Sequence, residues 1–143
     1  MTDKEKALQR MQKYCAIQDQ SVQKVREKLF AIEALTDEER ESIVDDLLDD
    51  KFLDDLRFAK NYVTSMINQK RWGKYKIIQG LHRHKIASNH IDAAIKTIDS
   101  SIYLNNLEHL YQIKKNYTED KHKIIRFLQQ KGYEIQDIFK FLS

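Results

Sequence analysis

Apolar residues recur along this chain at spacings of three and four, the period of a helix with one buried face. Leu8, Met11, Cys15 and Ala16 form a first stripe that ends near residue 17. Asp19 or Ser21 then offers a cap for a second helix, with Val22, Val25, Leu29 and Phe30 inward. Thr36 followed by Glu39 is a capping box, so a third helix starts there and buries Ile43, Val44, Leu47 and Leu48. Asp54 or Asp55 opens the next helix, carrying Leu56, Phe58, Ala59, Tyr62, Val63 and Met66. After Gly73 the stripe resumes as Tyr75, Ile77, Ile78 and Leu81, and Ser88 caps a helix with Ile91, Ala94, Ile95 and Ile98. From about Asn106 come Leu107, Leu110 and Ile113. Thr118, with Glu119 and Asp120 in the first turn, starts a helix holding Ile124, Ile125 and Leu128, which Gly132 closes. Ile135, Ile138, Phe139 and Leu142 make a last short helix.

One pattern within these stripes appears three times. Lys24-Val25-Arg26-Glu27-Lys28-Leu29 returns as Lys76-Ile77-Ile78-Gln79-Gly80-Leu81 and again as Lys123-Ile124-Ile125-Arg126-Phe127-Leu128. Starts at residues 24, 76 and 123 are 52 and 47 apart, which is the signature of a repeat. Three helices fit each period. The expected fold is all-α: three tandem three-helix units in an elongated, curved, solenoid-like molecule. The expected boundaries are 1–53, 54–104 and 105–143. Helices of three to four turns are marginal alone, so each must bury its stripe against its neighbours.

Composition supports this picture. The chain has no proline and three glycines, too few breakers for anything but long helical stretches. Mean hydropathy is −0.68 and no long apolar run exists, so no membrane contact is expected. The N-terminus lacks an apolar stretch followed by small residues, which argues against a secretory signal. Cys15 is the single cysteine, which excludes an intrachain disulfide and a multi-cysteine zinc site. An intracellular, cytoplasmic location is the expectation. Charge is unevenly spread. Residues 1–55 hold 9 Lys+Arg against 15 Asp+Glu, and residues 56–143 hold 16 against 7. The acidic first third and basic remainder suggest an anionic partner for the latter.

The densest basic stretch contains Lys70, Arg71, Lys74, Lys76, Arg83 and Lys85 in sixteen residues without an acid. Lys74 and Lys76 follow Gly73 directly, so the positive end of a helix adds to their charge. That makes a landing place for phosphate or for carboxylates of a protein; the plainer alternative is a solvated basic face. Gly73 offers backbone angles that other residues avoid, and so a break between two helices. Trp72 beside it is either an anchor between units or a partner contact. Catalytic chemistry is not in view. His82 and His84 are two apart and point in nearly opposite directions on a helix, and the other histidines lie in different helices. Three isolated glycines build no phosphate loop, and Cys15 sits on an apolar stripe. Carboxylates of residues 37–55 read as a solvated face. We expect no metal, no cofactor and no enzymatic activity.

Two segments carry a family resemblance. Phe52-Leu53-Asp54-Asp55-Leu56-Arg57-Phe58-Ala59, followed by Lys70-Arg71-Trp72-Gly73-Lys74-Tyr75-Lys76-Ile77 up to Leu81, resembles the RecX family of bacterial recombination regulators. Tyr14-Cys15 through Val25, Lys28 and Leu29 is similar to the family's first repeat. The resemblance covers residues 7–100 well and is weaker over 106–143. It implies tandem three-helix repeats in a curved, elongated shape. It also implies inhibition of the RecA recombinase by binding in the groove of the RecA–DNA filament. Strand exchange, filament growth, ATP hydrolysis and co-protease activity would be hindered, in DNA repair, recombination and the SOS response. Arg57, expected to be exposed near its helix cap, joins Lys70, Arg71, Trp72, Lys74, Lys76, Arg83 and Lys85 as the candidate partner-binding set. A monomer is expected. The competing readings are an autonomous nucleic-acid-binding helical module, with direct DNA contact, and a protein scaffold unrelated to recombination; an enzyme is the least favoured class.

Overall fold

The structure, a computed structural model, describes residues 1–142. Among them are nine α-helices and no strand. They are α1 (Asp3–Ile17), α2 (Val22–Phe30), α3 (Asp37–Asp49), α4 (Asp55–Ser65), α5 (Lys74–Arg83), α6 (Ser88–Ile95), α7 (Ser100–Lys115), α8 (Lys121–Gln130) and α9 (Ile135–Leu142). Their order is a threefold repeat. In each unit the first and third helices pack on one another: α1 on α3, α4 on α6, α7 on α9. The recurring sequence pattern falls on the middle helix each time, and its aliphatic and leucine are buried in all three copies.

Helix starts follow the local chemistry. Ser21 accepts from the Lys24 N–H, Thr36 and Glu39 form the full capping box, and Asp54 accepts from the Arg57 N–H. Three expected starts are corrected. Ala87 occupies the cap of α6, and Ser88 is its first helical residue without a side-chain cap bond. Ile86 just before is buried, so the tertiary core sets where that turn falls. Thr118 stands outside α8; Asp120 is the cap, accepting from His122 and Lys123 N–H. The helix expected from about Asn106 starts at Ser100, capped by Asp99, so the join expected at 104–105 lies inside α7.

The buried side chains form two separate apolar cores. The first runs from Ala7 to Leu53 and belongs to α1–α3. The second runs from Ala59 to Ile138 and is shared by α4–α9. Ala16, Phe30, Leu48, Tyr75, Ile113 and Phe139, all expected inward, are exposed. Each lies at the edge of its stripe, and a short helix with one neighbour buries a narrow face. The total accessible surface is 9178 Å². A compact monomer of 17.1 kDa exposes about 7,750 Å². The excess is what a row of small units exposes relative to a single ball.

Candidate functional site

The basic stretch is built around a close approach of two backbones. A π-helical turn, Met66–Lys70, ends α4 and is closed by Arg71 in the left-handed region (φ 52). Gly73 caps α5 with φ −80, an ordinary value, so its angles do not demand glycine. Space does: a Cβ there would overlap the Gly132 carbonyl. Gly132 has φ +100, and a Cβ on it would sit 2.6 Å from Lys76 Cβ. The two glycines therefore let the start of α5 lie directly on the turn after α8.

That contact uses up the helix start. The Gly73 N–H donates to the Lys131 carbonyl at 2.7 Å and the Tyr75 N–H to the Gly132 carbonyl at 3.1 Å. The Lys74 N–H donates to Tyr103 Oη at 2.9 Å, and Tyr133 Oη donates to the Arg71 carbonyl at 2.7 Å. The expectation of an open, anion-binding helix end is corrected: the N–H groups of Gly73, Lys74 and Tyr75 are spent on the third unit. Burial pushes the Tyr103 phenol up to about 12, and it raises Tyr133 as well. Both stay protonated at neutral pH and keep these bonds.

What remains for a partner is side-chain charge. Lys70 and Arg71 are exposed. Lys76 Nζ lies 4.7 Å over the Trp72 ring and Lys74 Nζ 5.1 Å over the Tyr103 ring, an arrangement that stiffens long lysine stems. Trp72 is half-buried against the second core, with one part in the structure and another under Lys76. Arg83 and Lys85 are exposed at the far end of α5, about 13 Å along its axis from Lys74. The stretch is thus two basic ends of one helix. The clamp adds residues that sequence reasoning did not select. Lys131 supplies the carbonyl for Gly73, and its Nζ and that of Lys114 lie 5.7 and 5.1 Å from the Phe127 ring. No local signal links these to the stretch; Gly132 reads in sequence as a helix terminator only.

Arg57 is corrected most. Its Nε donates to both Asp19 carboxylate oxygens at 3.1 Å, Nη1 to the Lys51 carbonyl at 3.0 Å and Nη2 to the Phe52 carbonyl at 3.3 Å. The hydrogen bond to Asp19 is the main cause that holds its pKa above the ordinary value. Its guanidinium ties the first unit to the second. Asn61 donates to Asp19 at 2.7 Å, and Asp55 accepts from the Val22 N–H at 3.0 Å, capping α2 from another unit. Cys15 is buried nearby, and burial pushes its thiol up. His82 is exposed; His84 stands edge-on to Phe58, with ring centres 4.9 Å apart. No group of three or more His, Cys, Asp or Glu is placed to hold a metal among the described residues. No helix among them is long and apolar enough to cross a membrane.

Comparison with known proteins follows the same geography. Residues 54–95 match the family model described as "RecX, second three-helix domain". The chain is 29% identical over 144 residues to "Regulatory protein RecX" of Prosthecochloris aestuarii, covering 99% of this chain and 95% of that protein. A protein of the same name from Clostridium tetani is 33% identical over 111 residues, covering 72% of this chain and 50% of its relative. The crystal structure of RecX from Lactobacillus salivarius has the same fold, with TM-score 0.85 at 20% identity, covering 98% of this chain and 94% of that one. A crystal structure of a regulatory protein RecX superposes with TM-score 0.82 at 25% identity, covering 97% and 70%. The matched stretch carries both the Arg57 tie and the Trp72–Gly73 clamp, and the likeness continues through the units on either side, so this chain is similar along nearly its whole length to the RecX regulatory proteins.

Proposed function

We propose that this chain binds the RecA–DNA filament and inhibits the recombinase, slowing strand exchange, ATP hydrolysis and co-protease function by lodging in the filament groove. Likeness to the RecX regulatory proteins supports a regulatory role, and one observation carries the contact. Lys70, Arg71, Lys74, Lys76, Arg83 and Lys85 enter none of the ion pairs found among the described residues. Their charge is therefore uncompensated within the chain and available to an anionic partner. Arg57, spent on Asp19, leaves the proposed contact set.

The test is RecA ATPase on single-stranded DNA with increasing amounts of this protein. Dose-dependent slowing is expected. The variant Lys70→Glu/Arg71→Glu/Lys76→Glu should need at least about tenfold more protein for the same effect, with helicity unchanged. No slowing at a several-fold excess over recombinase would sink the proposal. Unchanged potency of the folded variant would remove this face as the contact. The same uncompensated charge also favours a second reading, direct DNA binding. That reading requires affinity without recombinase that falls linearly in log K against log salt concentration.

A further inference from the structure

We propose that the chain is a two-body molecule, in which residues 54–142 move as one rigid body and residues 1–53 turn on a latch made by Asp19, Arg57 and Asn61. The two joins between units are built differently. Units two and three share one apolar core, and their join is backbone on backbone through Gly73 and Gly132. Packing that dense has one arrangement.

Unit one keeps a core of its own. Its strongest ties to unit two are polar: the Arg57–Asp19 pair at 3.0 Å, Asn61 on Asp19 at 2.7 Å, and Asp55 on the Val22 N–H at 3.0 Å. Ser21 Oγ also stands 3.5 Å from His84 Nδ1. Open space flanks this neck. A cleft of about 400 Å³ lies where Gln18 and Asp19 face Phe58, Tyr62, Met66 and His84. Another of about 540 Å³ lies where Val22 and Leu48 face Asp55 and His90. Rotation about the neck meets solvent on both sides.

The pivot is Arg57. The guanidinium that pairs with Asp19 also binds the carbonyls of Lys51 and Phe52, in the connection between α3 and α4. Breaking the ion pair therefore loosens unit one, leaving the Asp55 bond to the Val22 N–H, while the connection stays held at the same point. The pair is partly exposed, 40% for Arg57 and 20% for Asp19, so added salt weakens it. The latch thus sets the angle between the acidic unit and the basic body. It is independent of the filament reading, and its test contains no recombinase.

The experiment measures distances by pulsed electron resonance in the full chain carrying Cys15→Ala. Spin labels are attached through Gln9→Cys and Gln112→Cys, one in each body, or through Lys60→Cys and Gln112→Cys, both in the rigid body. The 9–112 distribution should broaden with Asp19→Asn, with Arg57→Ala, and in the parent on raising NaCl to about 0.5 M, while 60–112 stays narrow. An unchanged 9–112 distribution in Asp19→Asn, which keeps the side-chain shape, overturns the latch. Broadening of 60–112 overturns the rigid body. Should Arg57→Ala lose helicity, Asp19→Asn decides.

Discussion

Gly73 has to be glycine because the backbone of Gly132 passes against it, and its own angles would suit any residue. Gly73→Ala should therefore cost about 1–3 kcal/mol by overpacking, read as a lower urea midpoint. An unchanged midpoint would mean that the two turns are not in contact. His84 is the second residue whose setting predicts a measurement. Burial is the main cause that lowers its pKa from 6.5, helped by Lys24 and Arg83 and opposed by Glu27 and Asp55. The unfolded imidazole then binds a proton before the folded one. Stability is full above the unfolded value and falls as pH drops through it, until the folded pKa is passed. His84→Phe keeps a ring beside Phe58 and removes that term. Its melting temperature should fall less than that of the parent between pH 7.5 and about pH 5. Equal falls would show that His84 is not the group responsible.

Three helices end in the same way. After α3, α5 and α8 the chain turns left-handed at Lys51, Lys85 and Gly132, with φ 61, 55 and 100. The residue beyond each returns its N–H to a leucine carbonyl: Phe52 to Leu47, Ile86 to Leu81, Tyr133 to Leu128. This six-to-one bond satisfies a carbonyl at the helix end, and the apolar residue that follows turns toward the core. Only the third copy uses glycine. Lys51→Gly should raise stability by about 1 kcal/mol, by removing the steric cost of a left-handed lysine. Thermal melting reads the gain, and a loss would show that the lysine stem contributes more than its backbone costs.

At the scale of the molecule the two cores decide how damage spreads. Leu29 and Leu128 occupy equivalent places in the repeat and both are fully buried. Each changed to Ala should cost about 2–5 kcal/mol. The consequences differ, because Leu128 lies in the core shared by units two and three and Leu29 in the core of unit one. Amide exchange should speed up in α4–α9 for Leu128→Ala and in α1–α3 alone for Leu29→Ala. Exchange confined to α7–α9 in the first variant would mean that units two and three unfold separately.

The sequence by itself determined what depends on residues a turn apart. Helical periodicity, the Thr36 capping box, the cap pairs Asp19/Ser21 and Asp54/Asp55, each copy of the recurring pattern and the density of positive charge after Lys70 all arise between near neighbours in the chain, and the structure chose Ser21 and Asp54 from those pairs. The family segments lie in that local record too. The tertiary structure alone decided what joins distant parts of the chain. It gave Arg57 to Asp19, gave the first N–H groups of α5 to Lys131, Gly132 and Tyr103, and set Lys114 and Lys131 against the same Phe127 ring. Those partners lie far away in sequence, and no helical period carries their identity. Leu35, Leu53, Ile86 and Tyr133 are buried for the same reason: they sit in connections, where only the packing of other helices fixes which way a side chain faces.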